Sequence, residues 1–469
     1  MKPRQPYFSP LLCLLLCACM VGPDYHAPDV SGQLPSQFAF KPKPSVAQAQ
    51  PDWWQNFHDA AIDELVPVAL KRNLDIAAAE ANIRQARAQF DIQNGSTQPQ
   101  LNVAGRVGRD QYSKNSENFA NIPFPNPKTA FSDYRGGFDA SWELDLFGEH
   151  ARSIQAAGAH VDSVEAQHAA IALRISAEVV RLVVDYRLWQ QRQHNAATML
   201  QDNQQLLQLT EQLQRAGLVS ESELMQANTA TLEMQAALPA LVSATQSSLL
   251  GLTVLTNQSQ QQLSVILNAT QSGIPAPLAS AGLPSDLLLR RPDLRIAERQ
   301  LAAATAEIGM AVAAQYPHIS LMGDIGLDSI SPGKFTSLAS RYWNLGPQIS
   351  LPLFNGGRLA AQVSSKQAAR DAAVANYRQA VLAAFADSET ALIRYQQELM
   401  RLTELQQAMM AQQRQLELAQ KRYQLGETSQ VAELQARLQQ EQLQDSVLGS
   451  QQAVAENLTA VYKALGGGI

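Results

Sequence analysis

The chain has 469 residues, a net charge of −6, and side chains that are 46% hydrophobic but only 6% aromatic. That length holds two or three ordinary domains, and the acidic balance argues against nucleic acid as a partner, because phosphate binding needs clustered Lys and Arg. Abundant Ala, Gln and Leu favour long helices, and with a mean hydropathy of −0.18 no 18-residue apolar run follows residue 19, so no transmembrane α-helix is expected.

Residues 1–18 read as a secretory signal peptide. Lys2 and Arg4 precede a mostly apolar run from Leu11 to Ala18 that is too short to span a membrane. The run ends in Leu16-Cys17-Ala18-Cys19, which resembles the bacterial lipobox: Leu at −3, a small residue at −1, then the acceptor Cys. Cys19 would receive a diacylglyceryl group and, once the signal is cut away, an N-acyl chain, together a firm membrane anchor. These lipids aside, no cofactor is expected. Cys13 and Cys17 leave with the signal and no Cys follows Cys19, so the mature chain has no internal disulfide. Its net charge becomes −8 on loss of Lys2 and Arg4. Met20 stands where inner-membrane lipoproteins typically carry Asp, which favours the outer membrane. Residues 19–51, with Pro at 23, 28, 35, 42, 44 and 51, read as an extended lipid-anchored tether.

Order is expected to begin at "PDWWQNF" (51–57), and helical spacing runs from Ala60 to Phe90, with Ile62, Leu65, Val66, Ala69 and Leu70 on one face. An internal repeat then organises the chain. Residues 81–105 align with 299–323, placing Pro99 on Pro317. "ASWELDLFGEHAR" (140–152) parallels "QISLPLFNGGR" (348–358), and "RAGLVSESELMQA" (215–227) parallels "QLGETSQVAELQA" (424–436). A first repeat at 52–267 and a second at 287–469 therefore each read helix, strand, strand, long helix, break, helix. The Pro-, Ser- and Gly-rich residues 268–286 link them.

The strands alternate with a period of two. In 137–147, Phe138, Ala140, Trp142, Leu144 and Leu146 alternate with Asp139, Ser141, Glu143 and Asp145. Stretches 100–110, 318–328 and 343–354 do the same, 318–328 with Asp324 on its polar face. A soluble sandwich would bury the apolar face, and a membrane barrel would turn it to lipid and the polar face to water. Four strands cannot close a water-filled barrel, since the smallest membrane barrels use eight, and open edges are not tolerated in lipid. If the strands cross a membrane, several chains share one barrel, and three copies supply twelve strands. Asp139, Glu143, Asp145 and Asp324 are the candidate lumen-facing charges.

Between Ala151 and Gly217, and again between Leu359 and Gly426, roughly 65 residues pass without Pro, about 100 Å if helical throughout. Such length implies a coiled coil or helical tube. Returning segments 221–255 and 430–465 make each half a helical hairpin turning at Gly217 or Gly426, where glycine adopts positive φ without cost.

These stretches, with the lipobox followed by "MVGPDYHAP", "WWQNFHDAAIDELVPVALKRNLDI" (53–76), "LPSDLLLRRPDL" (283–294) and "LPLFNGGR" (351–358), resemble the TolC-type outer-membrane efflux channels, in their NodT-like lipoprotein branch. The resemblance covers essentially the whole mature chain. It implies a mixed α and β fold, in which four transmembrane strands per chain contribute to a trimeric 12-stranded barrel that continues into a periplasmic α-helical coiled-coil barrel. It also implies a homotrimer in outer-membrane lipid, working with a periplasmic adaptor and an inner-membrane transporter of the RND type to export drugs or other toxic small molecules passively. Opening occurs at the helical tips. In such channels a Tyr, an Arg and acidic residues near the hairpin turns hold the tip closed. The matching positions here are Tyr423, Glu223 in place of an Asp, and Thr428 where the Arg is usual, while the acidic-ring positions read Ala432 and Gln435, with Glu433 a shifted substitute. The lock of other members is therefore incomplete. The turns, with Gly217, Leu218, Gly426 and Glu427, are the candidate adaptor contacts.

Other chemistry is not evident. The seven His, at 26, 58, 150, 160, 168, 194 and 318, carry no HExxH or CxxC, so no metal site is expected. No nucleophile elbow, P-loop or GxGxxG fingerprint is present, so no enzyme is expected. "FNGGR" (354–358) reads as a strand-to-helix bend rather than an anion site. A lipid-anchored spacer or adaptor without a pore is the alternative, and the alternating strands with charged faces speak against it.

Overall fold

The computed structural model describes residues 20–29, 35, 38, 52–113, 115, 129–269 and 290–467. The signal peptide, Cys19, most of the tether beyond residue 29 and residues 270–289 of the linker and its flank lie outside the described residues. In order, the elements are a 3₁₀ turn (Trp53–Phe57), α1 (Ala60–Arg72), α2 (Leu74–Ser96), β1 (Gln100–Gln111), β2 (Ala130–Leu144), α3 (Glu149–Arg215), α4 (Glu221–Thr256), α5 (Gln260–Ala269), α6 (Pro292–Ala313), β3 (His318–Ser329), β4 (Arg341–Ser350), α7 (Arg358–Gln424) and α8 (Gln430–Ala464). Both long helices, α3 and α7, run 67 residues, about 100 Å at 1.5 Å per residue.

The chain forms two compact units, and neither is a sequence repeat. Of the described residues, one takes those within 20–28, 83–163 and 298–376, and the other those within 29–82, 164–297 and 377–467, so each unit is built from both halves. A duplicated chain can fold this way because a single half leaves its sheet edge and helix faces uncovered, and the other half covers them.

The first unit holds the sheet. Its strands are antiparallel in the order β1-β2-β3-β4. The register sets Val103 opposite Phe138, Phe138 opposite Ile325 and Ile325 opposite Trp343, so one face is apolar across all four strands. Two boundaries differ from the sequence expectation. β2 starts at Ala130 and ends at Leu144, and β4 ends at Ser350, so Asp145, Leu146, Phe147 and residues 351–354 lie outside the sheet. Asp145 leaves it because its Oδ2 accepts the Ala151 N–H (2.8 Å), satisfying a first-turn donor of α3 that would otherwise be orphaned. Phe147 stacks on Tyr316 with centroids 4.7 Å apart.

Residues 20–28, expected as free tether, are pinned to this unit. The Val21 N–H donates to Phe147 O (3.1 Å), and Arg152, its side chain only 3% exposed, donates to Val21 O, Gly22 O and Asp24 Oδ1. A buried guanidinium needs acceptors, and the N-terminal segment supplies three.

In the second unit the helix expected over 60–90 is two helices. Asn73 ends α1 in an extended conformation, its Oδ1 accepts the Asp75 and Ile76 N–H groups at the start of α2, and its Nδ2 donates to Leu255 O. The core gathers Trp53, Phe57, Ile62, Leu65, Val66, Leu252 and Leu263, all fully buried. Trp53 stacks on Tyr462 at 5.0 Å. Asp59 caps α1 through the Ala61 N–H (2.9 Å) and pairs with Arg187 of α3, both side chains buried.

Candidate functional site: the sheet face and the hairpin tips

In the first unit the apolar face of the sheet is bare. Leu101, Val103, Val107, Phe138, Trp142, Ile325, Trp343, Leu345 and Ile349 are between 40% and 79% exposed. Water-facing sheets of soluble proteins alternate apolar-in and polar-out, and a contiguous apolar patch of this kind marks a surface meant for an apolar medium.

On the opposite face, polar side chains form rows across the strands. Asn102, Asp139, Asp324 and Asn344 occupy one line, with two carboxylates directly opposed. Asn102 Nδ2 donates to Asp139 Oδ2 (3.1 Å), and the Arg135 guanidinium lies 3.5 Å from Asp324 Oδ2. Arg135 is held there by the Tyr342 hydroxyl (3.1 Å) and by the Tyr342 ring, 4.5 Å below its guanidinium. Gly326 leaves room for that ring, since a Cβ there would stand 2.9 Å from Tyr342 Cε1. A second row opposes Arg106 to Arg135, with Arg106 paired to Asp110 (3.0 Å) and Asp133 (3.7 Å).

The four charges singled out from sequence separate in the structure. Asp139 and Asp324 share a row. Glu143 lies at the strand end, where its Oε1 is 2.8 Å from His318 Nδ1 and its Oε2 is 3.6 Å from His150 Nε2. Asp145 is the helix cap described above and not a strand charge. The Arg135–Tyr342 clamp was missed because Tyr342 precedes the stretch read as strand, and only the register sets it beside Gly326.

In the second unit the two hairpin turns are copies. Gly217 (φ +73°) and Gly426 (φ +74°) occupy the left-handed region that glycine enters freely. Leu218 N–H donates to Leu213 O and Glu427 N–H to Arg422 O, the long closing bond of a Schellman turn in both cases. Ser220 and Ser429, each three residues past the glycine, cap the returning helices. Leu218, Gly426, Glu427 and Tyr423 are exposed at these turns, and Thr428 is half-buried.

The acidic tip candidates are committed to local work. Glu223 closes a capping box: its Oε2 accepts from the Ser220 N–H (2.6 Å) and Oγ (2.9 Å), which holds its carboxyl below the usual range. The Ser-x-x-Glu signature of residues 220–223 announces this in the sequence. In the second hairpin the corresponding position is Ala432, so the box is half-formed. Glu433, one residue on, instead accepts from Arg437 (2.9 Å). Arg437 also lies 3.5 Å from Asp202 of α3 and so ties one hairpin to the other. An arginine does tie the hairpins near the tip, but from nine residues beyond Thr428. Farther along the same pair of helices, Arg192 makes two bonds to Asp445 (2.8 and 2.9 Å).

A sheet bare on its apolar face and charged on the other, in a chain with two 67-residue helical hairpin arms, defines a subunit of a membrane-inserted duct. Comparison with known proteins agrees. The outer membrane efflux protein family matches residues 65–258 and 283–467, one segment in each sequence repeat. The chain is 32% identical over 481 residues to the antibiotic efflux pump outer membrane protein ArpC of Pseudomonas putida, covering 97% of this chain and 93% of that one. It is 29% identical to nodulation protein T of Rhizobium leguminosarum bv. viciae, covering 98% and 92%. Among solved structures, the outer-membrane channel OprN superposes with a TM-score of 0.84 at 30% identity, covering 96% of this chain and 99% of that one. The open-state MtrE outer membrane channel of Neisseria gonorrhoeae gives 0.82 at 26% identity, covering 96% and 98%. The protein belongs to the outer membrane efflux protein family. It is an efflux channel component of the Gram-negative outer membrane that extends into the periplasm, and the channel reading holds over the poreless spacer.

Proposed function

We propose that three copies of this chain close a twelve-stranded barrel and form the exit duct of a tripartite pump. The observation that carries this is the sheet. Its apolar face is exposed, its polar face is charged, and β1 and β4 are open edges, which lipid does not tolerate. Pairing β4 of one copy with β1 of the next removes every edge. A periplasmic adaptor engages the exposed turns around Leu218 and Glu427, and an inner-membrane transporter of the RND type supplies the energy. The cargo is drugs or other toxic small molecules, in keeping with the antibiotic efflux pump named for the ArpC relative. The closed tip rests on Arg437 bridging Glu433 and Asp202, with Tyr423 beside the turn. The Asp139–Asp324 row, repeated three times round the barrel, gives the duct a preference for cations.

Cys19 carries the lipid. Met20, the residue that follows it, packs against Gly148 just past the end of β2. With the barrel already in the membrane, the lipid serves as an auxiliary tether. Cys19→Ser behind an alternative cleavable signal retains trimers and export while losing acyl label, and loss of both trimers and export overturns the auxiliary role.

Planar bilayers test the conduit directly. Purified wild type conducts weakly, and Arg437→Ala conducts more. Asp139→Asn with Asp324→Asn lowers the cation-to-anion permeability ratio. Complete absence of conductance in both wild type and the Arg437 variant refutes the proposal.

A further inference from the structure

The seam between α3 and α8 carries two carboxyl pairs that no opposite charge fully explains. At the first, Asp202 and Glu441 meet, and Asp202 Oδ2 and Glu441 Oε2 are both buried without receiving a hydrogen bond from any donor among the described residues. At the second, Asp185 is buried against Glu456, and one amide, Gln452 Nε2, donates to both (2.9 and 3.1 Å). Two carboxylates in contact inside a protein cannot both ionise cheaply, and the economical arrangement is one proton shared between them.

We propose that this seam is a proton-operated latch between the two hairpins, closed by one proton shared at Asp202–Glu441 and a second shared at Asp185–Glu456. The latch rests on the conduit reading only for its physiological meaning. Asp202 lies fifteen residues before Gly217 and Glu441 fifteen residues after Gly426, so the first pair sits about 22 Å of helix from both turns. Parting the tips pulls on it before the second pair.

The groups around the pairs are these, with His194 of α3 also lining the cavity beside Glu441, so His194→Gln is the control that must leave the slope unchanged. At the first pair, Arg437 on α8 faces Asp202 (3.5 Å) and is itself shared with Glu433, while α4 and α7 bring neutral groups, the Thr231 hydroxyl on Asn203 O and the Gln412 amide on Ala436 O. At the second pair, Arg181 donates to Asp185 (2.6 Å) and pairs with Glu178, with Lys463 near Glu178, and α7 offers Glu398, which accepts from Ser450. Between the pairs stands Arg192–Asp445. The arginines keep their charge throughout the range in which carboxyl groups titrate. Burial, and then the facing carboxylate, push Glu441 and Glu456 each up to about 7.

The direction follows from proton linkage. With the hairpins parted, both glutamates return to the ordinary range near 4.5. Between that value and about 7 the latched state holds more protons than the parted one, so latching is strongest in acid and weakens as pH rises. Each pair contributes up to about a tenfold change in the parted-to-latched ratio per pH unit within that window, and nothing further above it.

The test uses the full-length protein in lipid nanodiscs. Hydrogen exchange along 430–464, corrected for its intrinsic pH dependence, is followed from about pH 5 to about pH 8. Wild-type opening rises from about pH 5 to about pH 7, by up to about a hundredfold per pH unit where both pairs titrate together, and levels off above about pH 7; single variants show half the logarithmic steepness. In the double variant Glu441→Gln with Glu456→Gln, each amide donates permanently to its aspartate, and the slope disappears with the seam closed at every pH. The infrared band of protonated carboxyl groups must lose a component between about pH 5 and about pH 7 in wild type, and that component must be missing from the double variant, whose exchange protection shows that it is folded. A wild type with no slope, or a double variant that keeps it, overturns the latch. Conductance recorded in parallel separates the two claims: zero conductance at every pH refutes the conduit, while exchange still decides the latch.

Discussion

Replacing Ile325 with Arg, and separately Met322 with Arg, tests which face of the sheet meets lipid. Both residues lie on β3, three positions apart and therefore on opposite faces. Ile325 is 60% exposed in the middle of the apolar row, between Phe138 and Trp343, whereas Met322 shares its row with Ser141 and Gly346 on the polar face. An arginine on the lipid side near the bilayer midplane costs about 2–4 kcal/mol. The same substitution on the polar side is solvated by lumen water and costs well under about 1 kcal/mol. Refolding from urea into phospholipid vesicles, read by band shift on unheated gels, measures the difference. Ile325→Arg is expected to lower the folded-to-unfolded ratio by a factor of about 30 or more, leaving about 3% or less folded where wild type is half folded, and Met322→Arg to fold nearly as wild type. Equal costs for the two, or a reversed order, would refute the assignment of faces and with it the shared barrel.

Three further outcomes follow from the geometry. Asp59→Ala removes a buried ion-pair partner of Arg187 together with the α1 cap, so calorimetry should register a loss of about 3–5 kcal/mol, and a loss below about 1 kcal/mol would show the pair to be dispensable. Arg152→Met releases residues 20–28, and limited proteolysis should cut there in the variant and spare the wild type, with equal cutting counting against the clamp. Glu223 has its carboxyl pKa lowered by Ser220, so its contribution to the first turn of α4 is complete above the ordinary glutamate value and is lost as pH falls through the depressed one. Protection of residues 221–224, taken relative to the intrinsic exchange rate at each pH, should therefore fall in acid in wild type, and in Glu223→Ala should be low at all pH values.

Local chemistry was legible along the chain. Period-two alternation located all four strands, because burial on one face only leaves an imprint at every second residue. The Pro-free stretches and paired Gly-x-x-Ser turns located α3, α4, α7 and α8 to within two residues, because a helix needs no distant partner to choose its ends. The duplication was likewise visible as text. What the tertiary structure alone decided is which side chains meet. Asp145 looks like one more lumen charge until its oxygen is found on the Ala151 N–H. Glu223 looks like a tip lock until Ser220 claims it, although its capping-box spacing was there to be read. Arg437 and Asp202, 235 residues apart, and the Glu441 and Glu456 pairs along the same seam carry no shared motif. Their significance comes from antiparallel helices laid side by side, where burial turns ordinary surface-type residues into ion pairs and shared protons, and no periodicity within either helix encodes that alignment.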